Sequence, residues 1–305
     1  MNINPACHLC STPSNFLMNK DGYDEYLCPK CSLSFVYPQP TADWLRDEVY
    51  SLESGYQKNK TSDLSIAKEG MRFGRVLDFV AKNKPNGTFL DIGCSSGQVM
   101  YWARKRGLKP VGIEINKRTA DIARQNSFEV FNGFLEDSQF EKASFDIIFM
   151  GDVIEHVNNP RKFVSDAMQY LKKDGYIVIS TPNVDCFWSH ITLGLYKLFG
   201  IPWTSLTPPY HLFQFSLSNL STLLSEFNFT VEKAFFLPPP SLRYELGSLH
   251  LLKRWKGNRT IQNALFAGIS YSLYIIVYAL NFVLHPLLVR DFQMSVVYVH
   301  DRLVV

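Results

Sequence analysis

This sequence is short of charge, and the charge it has nearly cancels. Among 305 residues, 31 Lys and Arg face 28 Asp and Glu, for a formal net charge of +3. Proteins that neutralise a phosphate backbone concentrate far more positive charge, so nucleic acid is not an expected partner. Also missing is an apolar run of signal-peptide length at the start, which reads MNINPACHLC. No export signal is therefore expected, and the cytosol is the default compartment. Repeats and low-complexity tracts are absent as well. Cysteines number only six, and four of them fall into two CxxC pairs, a pattern that argues for metal binding rather than a disulfide framework. What remains is an ordinary globular composition, 46% hydrophobic, with length for one large domain and a small appendage.

Three regions separate along the chain. Residues 1–40 are rich in Cys, Pro and Tyr and end in Tyr37-Pro38-Gln39-Pro40, which punctuates a boundary. Residues 41–85 have the character of a helical connector, with Val76, Leu77, Phe79 and Val80 among scattered charges. From residue 86 to 305, short apolar runs alternate with amphipathic stretches. The predicted strands are Thr88–Ile92, Pro110–Glu114, Glu129–Phe131, Phe145–Met150, Tyr176–Ser180, Thr230–Phe236 and Met294–His300. Helices are predicted over Val99–Arg106, Lys117–Gln125, Arg161–Leu171 and Leu217–Glu226. This alternation predicts an α/β fold with a largely parallel sheet covered on both faces.

The strongest local signal is Phe89-Leu90-Asp91-Ile92-Gly93-Cys94-Ser95-Ser96-Gly97, with a helix opening at Val99. A buried strand runs into a tight turn where glycines admit a ligand close to the backbone at a helix N-terminus. At the end of the next strand, Gly112-Ile113-Glu114 puts a carboxylate where it can accept both hydroxyls of a ribose. The glycine spacing is G-x-x-x-G, not the G-x-G-x-x-G of dinucleotide enzymes.

With these residues in place, the sequence resembles the class I S-adenosylmethionine-dependent methyltransferases over roughly residues 70–235. The first motif of that family reads D-x-G-x-G-x-G, and here Ser95 replaces the middle glycine. The resemblance implies a Rossmann-like seven-stranded sheet with an antiparallel last strand. It also implies that Asp91, Gly93, Cys94 and Gly97 surround the methionine part of the cofactor, that Glu114 holds the ribose, and that Glu136 and Met150 lie at the cofactor as well. Phe134 sits where many relatives have Asp.

Cys7-x2-Cys10 and Cys28-x2-Cys31 are two knuckles seventeen residues apart, the spacing of a zinc ribbon. Each knuckle offers two thiolates, and two knuckles complete a tetrahedron, so a structural Zn2+ is expected on these four residues. Between the knuckles only Lys20 is basic, against Asp21, Asp24 and Glu25, which is poor material for phosphate contacts. Cys94 and Cys186 remain as small core or pocket residues.

After the fourth core strand comes Gly151-Asp152-Val153-Ile154-Glu155-His156-Val157. It partly resembles the E-x-x-E-H of ubiquinone-biosynthesis O-methyltransferases, with Asp152 for the first Glu, which implies a divalent cation on Asp152, Glu155 and His156. A cap or packed histidine is the alternative. Asp152 and His156 are candidate catalytic residues. An aromatic segment follows, Val184 to Phe215, the length of a lid over the acceptor. It contains His211, whose imidazole suits a general base.

From Thr260 to Val289 no Asp, Glu, Lys or Arg occurs, and Lys253, Arg254, Lys256 and Arg259 stand directly before this run. Peripheral attachment to the cytoplasmic face of a membrane, a homodimer contact, a buried core helix and a true insertion are the readings open to it. The function expected is methyl transfer to a small or lipid-linked acceptor, O-methylation preferred. Sugar C- or O-methylation is the next reading, on a resemblance to bacterial polysaccharide and secondary-metabolite methyltransferases. An rRNA or tRNA enzyme and a non-catalytic partner protein are further alternatives.

Overall fold

The computed structural model describes residues 4–45, 72–201, 203–237, 260–284 and 292–300. Two sheets organise them. The larger has seven strands: β4 (Thr88–Ile92), β5 (Lys109–Glu114), β6 (Glu129–Asn132), β7 (Phe145–Gly151), β8 (Leu171–Pro182), β10 (Phe229–Leu237) and β11 (Gln293–His300). Their spatial order is β6-β5-β4-β7-β8-β11-β10. The first five strands are parallel, whereas β11 runs antiparallel to both β8 and β10. Strand order reverses at β4, so the crevice at the carboxyl ends of β4, β5 and β7 is where this topology binds ligands.

Alternate side chains of the central strands feed two apolar layers, because the strand period is two. Phe89, Ile147, Phe149, Val178 and Val297 pack on helix α1 (Gly74–Asn83) through Val76, Leu77 and Val80, and on Ala103 of α2 (Gln98–Arg104). Leu90, Ile148, Met150, Ile177, Ile179 and Val296 pack on α4 (Pro160–Met168) and α6 (Leu217–Ser225). Burying each such side chain contributes about 1.5–3 kcal/mol, so these layers dominate stability. Helix starts are marked by short polar caps. Asn116 accepts from Thr119 N ahead of α3 (Lys117–Gln125), Asn159 from Lys162 N, and Ser216 from Asn219 N.

The second sheet is β1 (Asn15–Lys20), β2 (Tyr23–Leu27), β3 (Ser34–Val36) and β9 (Phe213–Gln214), in that order. Its last member comes from the aromatic segment: β3 pairs with β9 through Ser34↔Gln214 and Phe35↔Phe213. The segment also forms α5 (Phe187–Phe199), with Trp188 and Leu195 buried. Residues 184–215 were expected as a lid, yet none of the described ones lines the cleft described below. They pack beside it instead, because their aromatic side chains are used to join the N-terminal sheet to the core.

The apolar run forms α7 (Ile261–Leu284). Its Ala267 and Tyr274 pack with Trp188 and Leu195 of α5. The end of that run, with His285 and Pro286, and the basic residues from Lys253 to Arg259 lie outside the described residues, as does most of the expected connector.

Candidate active site

The turn after β4 is possible only because of its glycines. Gly93 has φ +78°, and a Cβ there would come within 2.6 Å of Val153 Cγ2. Gly97, with φ +90°, caps the N-terminus of α2. Gly112 on β5 lets Cys94 approach, since a Cβ at that position would lie 2.5 Å from its Sγ. The backbone thus folds tightly around a cleft of about 390 Å³ at the carboxyl ends of β4, β5 and β7.

Of the residues the sequence pointed to, Asp91, Gly93, Cys94, Glu114, Glu136, Asp152 and His156 line this cleft. Gly97, Met150 and His211 do not: Gly97 shapes the turn, Met150 is fully buried in the sheet core, and His211 sits behind His156. Glu114 is fixed by two backbone donors, Ser95 N to Oε2 and Asn116 N to Oε1, each 2.8 Å. Asp91 is buried, and its Oδ2 has no hydrogen-bond partner. Burial, and then the neighbouring Glu114, pushes its carboxyl up to about 8. This carboxyl, with one oxygen unpaired, is part of the cleft lining.

His156, at the end of the turn Ile154–His156, lines the same cleft. His156 Nδ1 lies 2.5 Å from the carbonyl oxygen of Tyr210. A carbonyl only accepts, so Nδ1 carries the proton, and Nε2 is the basic nitrogen of the neutral ring. That nitrogen lies 4.0 Å from Glu155 Oε1. Glu155 is 1% exposed, and neither carboxylate oxygen makes a hydrogen bond. Burial, and then Asp152, raises its carboxyl well above the ordinary range. His211 stacks edge-on against His156 at 4.9 Å, and its buried Nδ1 has no partner. Burial, then His156 and Lys20, pulls its imidazole well below the usual value, so it is neutral.

The sequence grouped Asp152 with Glu155 and His156 as cation ligands. The fold instead brings Glu155, His156 and His211 together, with one ligand atom of each lying within 4.8 Å of the others. Asp152, in a left-handed conformation with φ +54°, pairs with Arg72 and accepts from Gln293 Nε2 at 2.6 Å. Arg72 and Gln293 escaped the sequence reading. Arg72 lies in the stretch read as a connector, and Gln293 begins the last strand, where only its 9% exposure marks it out. Neither has a local signal.

At the N-terminus, Cys7, Cys10, Cys28 and Cys31 converge. Their Sγ atoms approach at 3.5 Å (Cys7–Cys31), 3.4 Å (Cys10–Cys28) and 3.7 Å (Cys10–Cys31). The two knuckles share one backbone design: Ser11 N donates to Cys7 O and Ser32 N to Cys28 O, and each serine has φ 57°. This module is tied to the cleft wall. Arg161 donates to the carbonyls of His8 and Leu9, and His8 packs edge-on against Phe35 and Phe213. The buried Lys20 donates to the carbonyls of Trp203 and Leu206.

Residues 66–234, more than half of the chain, match the family model of a methyltransferase domain. The chain is 29% identical over 117 residues to a ubiquinone biosynthesis O-methyltransferase of Pelagibacter ubique, which covers 35% of this chain and 49% of that one. It is 28% identical over 185 residues to the chloroplastic tocopherol O-methyltransferase of Arabidopsis thaliana, covering 56% of this chain and 51% of that one. The chain thus spans about half the length of the curated relatives it matches. Among solved structures it is similar to the magnesium protoporphyrin IX methyltransferase of Synechocystis with bound SAH. The TM-score is 0.49 and the identity 11%, with 76% of this chain and 84% of that one covered.

Proposed function

This chain belongs to the family of S-adenosylmethionine-dependent methyltransferase domains, and we propose that it methylates a hydroxyl of a small or lipid-linked acceptor, with His156 as the base. The observation that carries the reading is a single cleft lined by the Asp91–Glu114 pair and by His156, whose Nδ1 is held by the Tyr210 carbonyl. The residues fit the cofactor: an orphaned buried carboxylate oxygen on Asp91 for the ammonium group, a glycine turn that admits no Cβ, and the backbone-fixed carboxylate of Glu114 in the cleft lining for the ribose hydroxyls. When bound, S-adenosylmethionine supplies a methyl group already activated on a sulfonium.

The protein's own work is then alignment and proton removal. The Tyr210 carbonyl fixes the His156 tautomer, so Nε2 is the atom that accepts the hydroxyl proton. Arg72 and Gln293 anchor Asp152 in the lining of the same cleft. The cleft lining also weighs against an RNA acceptor, because Asp91, Glu114, Glu136, Asp152 and Asp166 outnumber Arg72 and Lys162. Incubation with labelled cofactor and fractionated cell extract tests the proposal. A labelled O-methyl product in a small-molecule or lipid fraction supports it, and label confined to RNA removes it.

A divalent cation on Glu155, His156 and His211 is a second reading, favoured by the unpaired oxygens of Glu155. It would help an acceptor hydroxyl ionise. Metal analysis separates the two readings, since His211→Ala would then lower the metal content by one ion per chain. The four-cysteine module would hold a structural Zn2+ in addition. The sulfur separations support this, because a tetrahedron with Zn–S bonds of about 2.3 Å has edges of about 3.8 Å.

A further inference from the structure

Helix α7 wears its polarity inside out. Its inner face carries Asn263, Ser270, Tyr271, Tyr274 and Tyr278, turned toward the protein, with Ser270 and Tyr274 fully buried. Tyr274 packs edge-on against Trp188 and donates to Thr204 Oγ1, and Tyr278 packs against the same Trp188 ring. Its outer face is a ladder of Ile261, Leu265, Ile269, Ile276 and Leu280, between 54% and 80% exposed, with Ile275 beside it. A helix on a water-soluble surface has the opposite arrangement. The exposure of this face also removes the buried-core reading of the apolar run.

We propose that this outer face lies in the interfacial layer of a membrane, parallel to its surface, and attaches the enzyme to anionic lipid. The helix is about 36 Å long, and over Ile261–Leu280 its described outer face offers only Gln262 and Ser272 as polar side chains. Ser272 Oγ is already satisfied by the Gly268 carbonyl at 2.9 Å. A protein partner would need hydrogen bonds at intervals of about 100–200 Å² and a polar rim, and this face supplies neither. Hydrocarbon asks for no such partners. Charge points the same way. In the sequence, Lys253, Arg254, Lys256 and Arg259 precede the helix with no acidic residue between Glu245 and its start, and basic residues near a membrane surface favour anionic headgroups.

The helix lies on the membrane rather than crossing it. By length and composition alone Ile261–Leu280 would span a bilayer. Crossing would strip the tyrosine face from α5, and β11, which follows, is held between β8 and β10. Attachment stands whether or not the acceptor is itself a lipid.

The test is co-sedimentation of the full chain with vesicles of phosphatidylcholine alone and with vesicles containing anionic phosphatidylglycerol. Binding to the anionic vesicles is the expected result. The double substitution Leu265→Asp with Ile269→Asp should lower partitioning at least about tenfold, and cofactor affinity measured on the same variant should not move. Both positions are on the outer face, so the fold and the cofactor site serve as internal controls. Protein that stays in the supernatant overturns the proposal. So does binding that survives the double substitution, or a stable dimer that the substitution converts to monomer without any vesicle binding.

Discussion

Asp91, Gly93, Ser95 and Glu114 reach the cleft from one β–α–β unit, positioned by parallel strands and their own backbone. His156, in the same cleft lining, is held by groups from far along the chain. Its Nδ1 needs the Tyr210 carbonyl, Glu155 O needs Leu212 N, and the segment carrying both partners is clamped by Lys20, by Phe35 beside Phe213 and by pairing of β3 with β9. One wall is local and the other is a tertiary assembly that includes the cysteine module. The difference implies that the two walls fail separately. Cofactor binding should survive damage to the N-terminal sheet, and chemistry should not.

Three perturbations sharpen or break that contrast. The largest effect is expected from His156→Ala, which removes the proposed base. Methyl transfer should fall by about 10²–10⁴-fold with cofactor affinity changed less than about twofold. Loss of both together, measured by transfer assay and calorimetry, would merge the two walls. Cys28→Ser comes next. It should release zinc and misplace His156 through the 203–215 segment, lowering transfer by about 10²-fold. Hydrogen exchange should then show lost protection in residues 15–36 and 203–215, while 88–151 keeps its own.

The smallest effect concerns pH. The Asp91 carboxyl titrates at about 8 in the ligand-free chain. A cationic ligand favours its ionised form, so cofactor affinity should rise with pH up to about 8, by no more than about tenfold per unit. For stability the sign is opposite. A carboxyl raised on folding favours the folded state below its unfolded value, and that contribution is lost as pH rises toward about 8. Asp91→Asn should flatten both profiles, as calorimetry and thermal melts across this range would record.

Much of the local wall was legible in the sequence. The strand boundaries of β4 to β7 fall within a residue of expectation, because each is a short apolar run closed by Gly, Asn or Asp. The end of the fourth helix is different. Leu171 begins β8 instead of closing the helix, since Lys172, Lys173 and Asp174 form a polar strand edge that lacks apolar periodicity. Helix α5 was hidden by its aromatic and β-branched residues, which read as an irregular insertion. β9 is two residues long and exists only because β3 pairs with it, so no window of sequence contains its cause. The same holds for the pairing of Asp152 with Arg72 and for His211 beside His156, which rest on contacts between distant segments.

The most direct test of the account is calorimetric titration of S-adenosylmethionine into the wild-type chain and into Glu114→Ala. The wild type should bind one cofactor per chain. The variant loses two hydrogen bonds to the ribose and should bind about 10–100-fold more weakly, equivalent to about 1.5–3 kcal/mol. Equal affinities in the two proteins would take Glu114 out of the site and contradict the placement of the cofactor in this cleft.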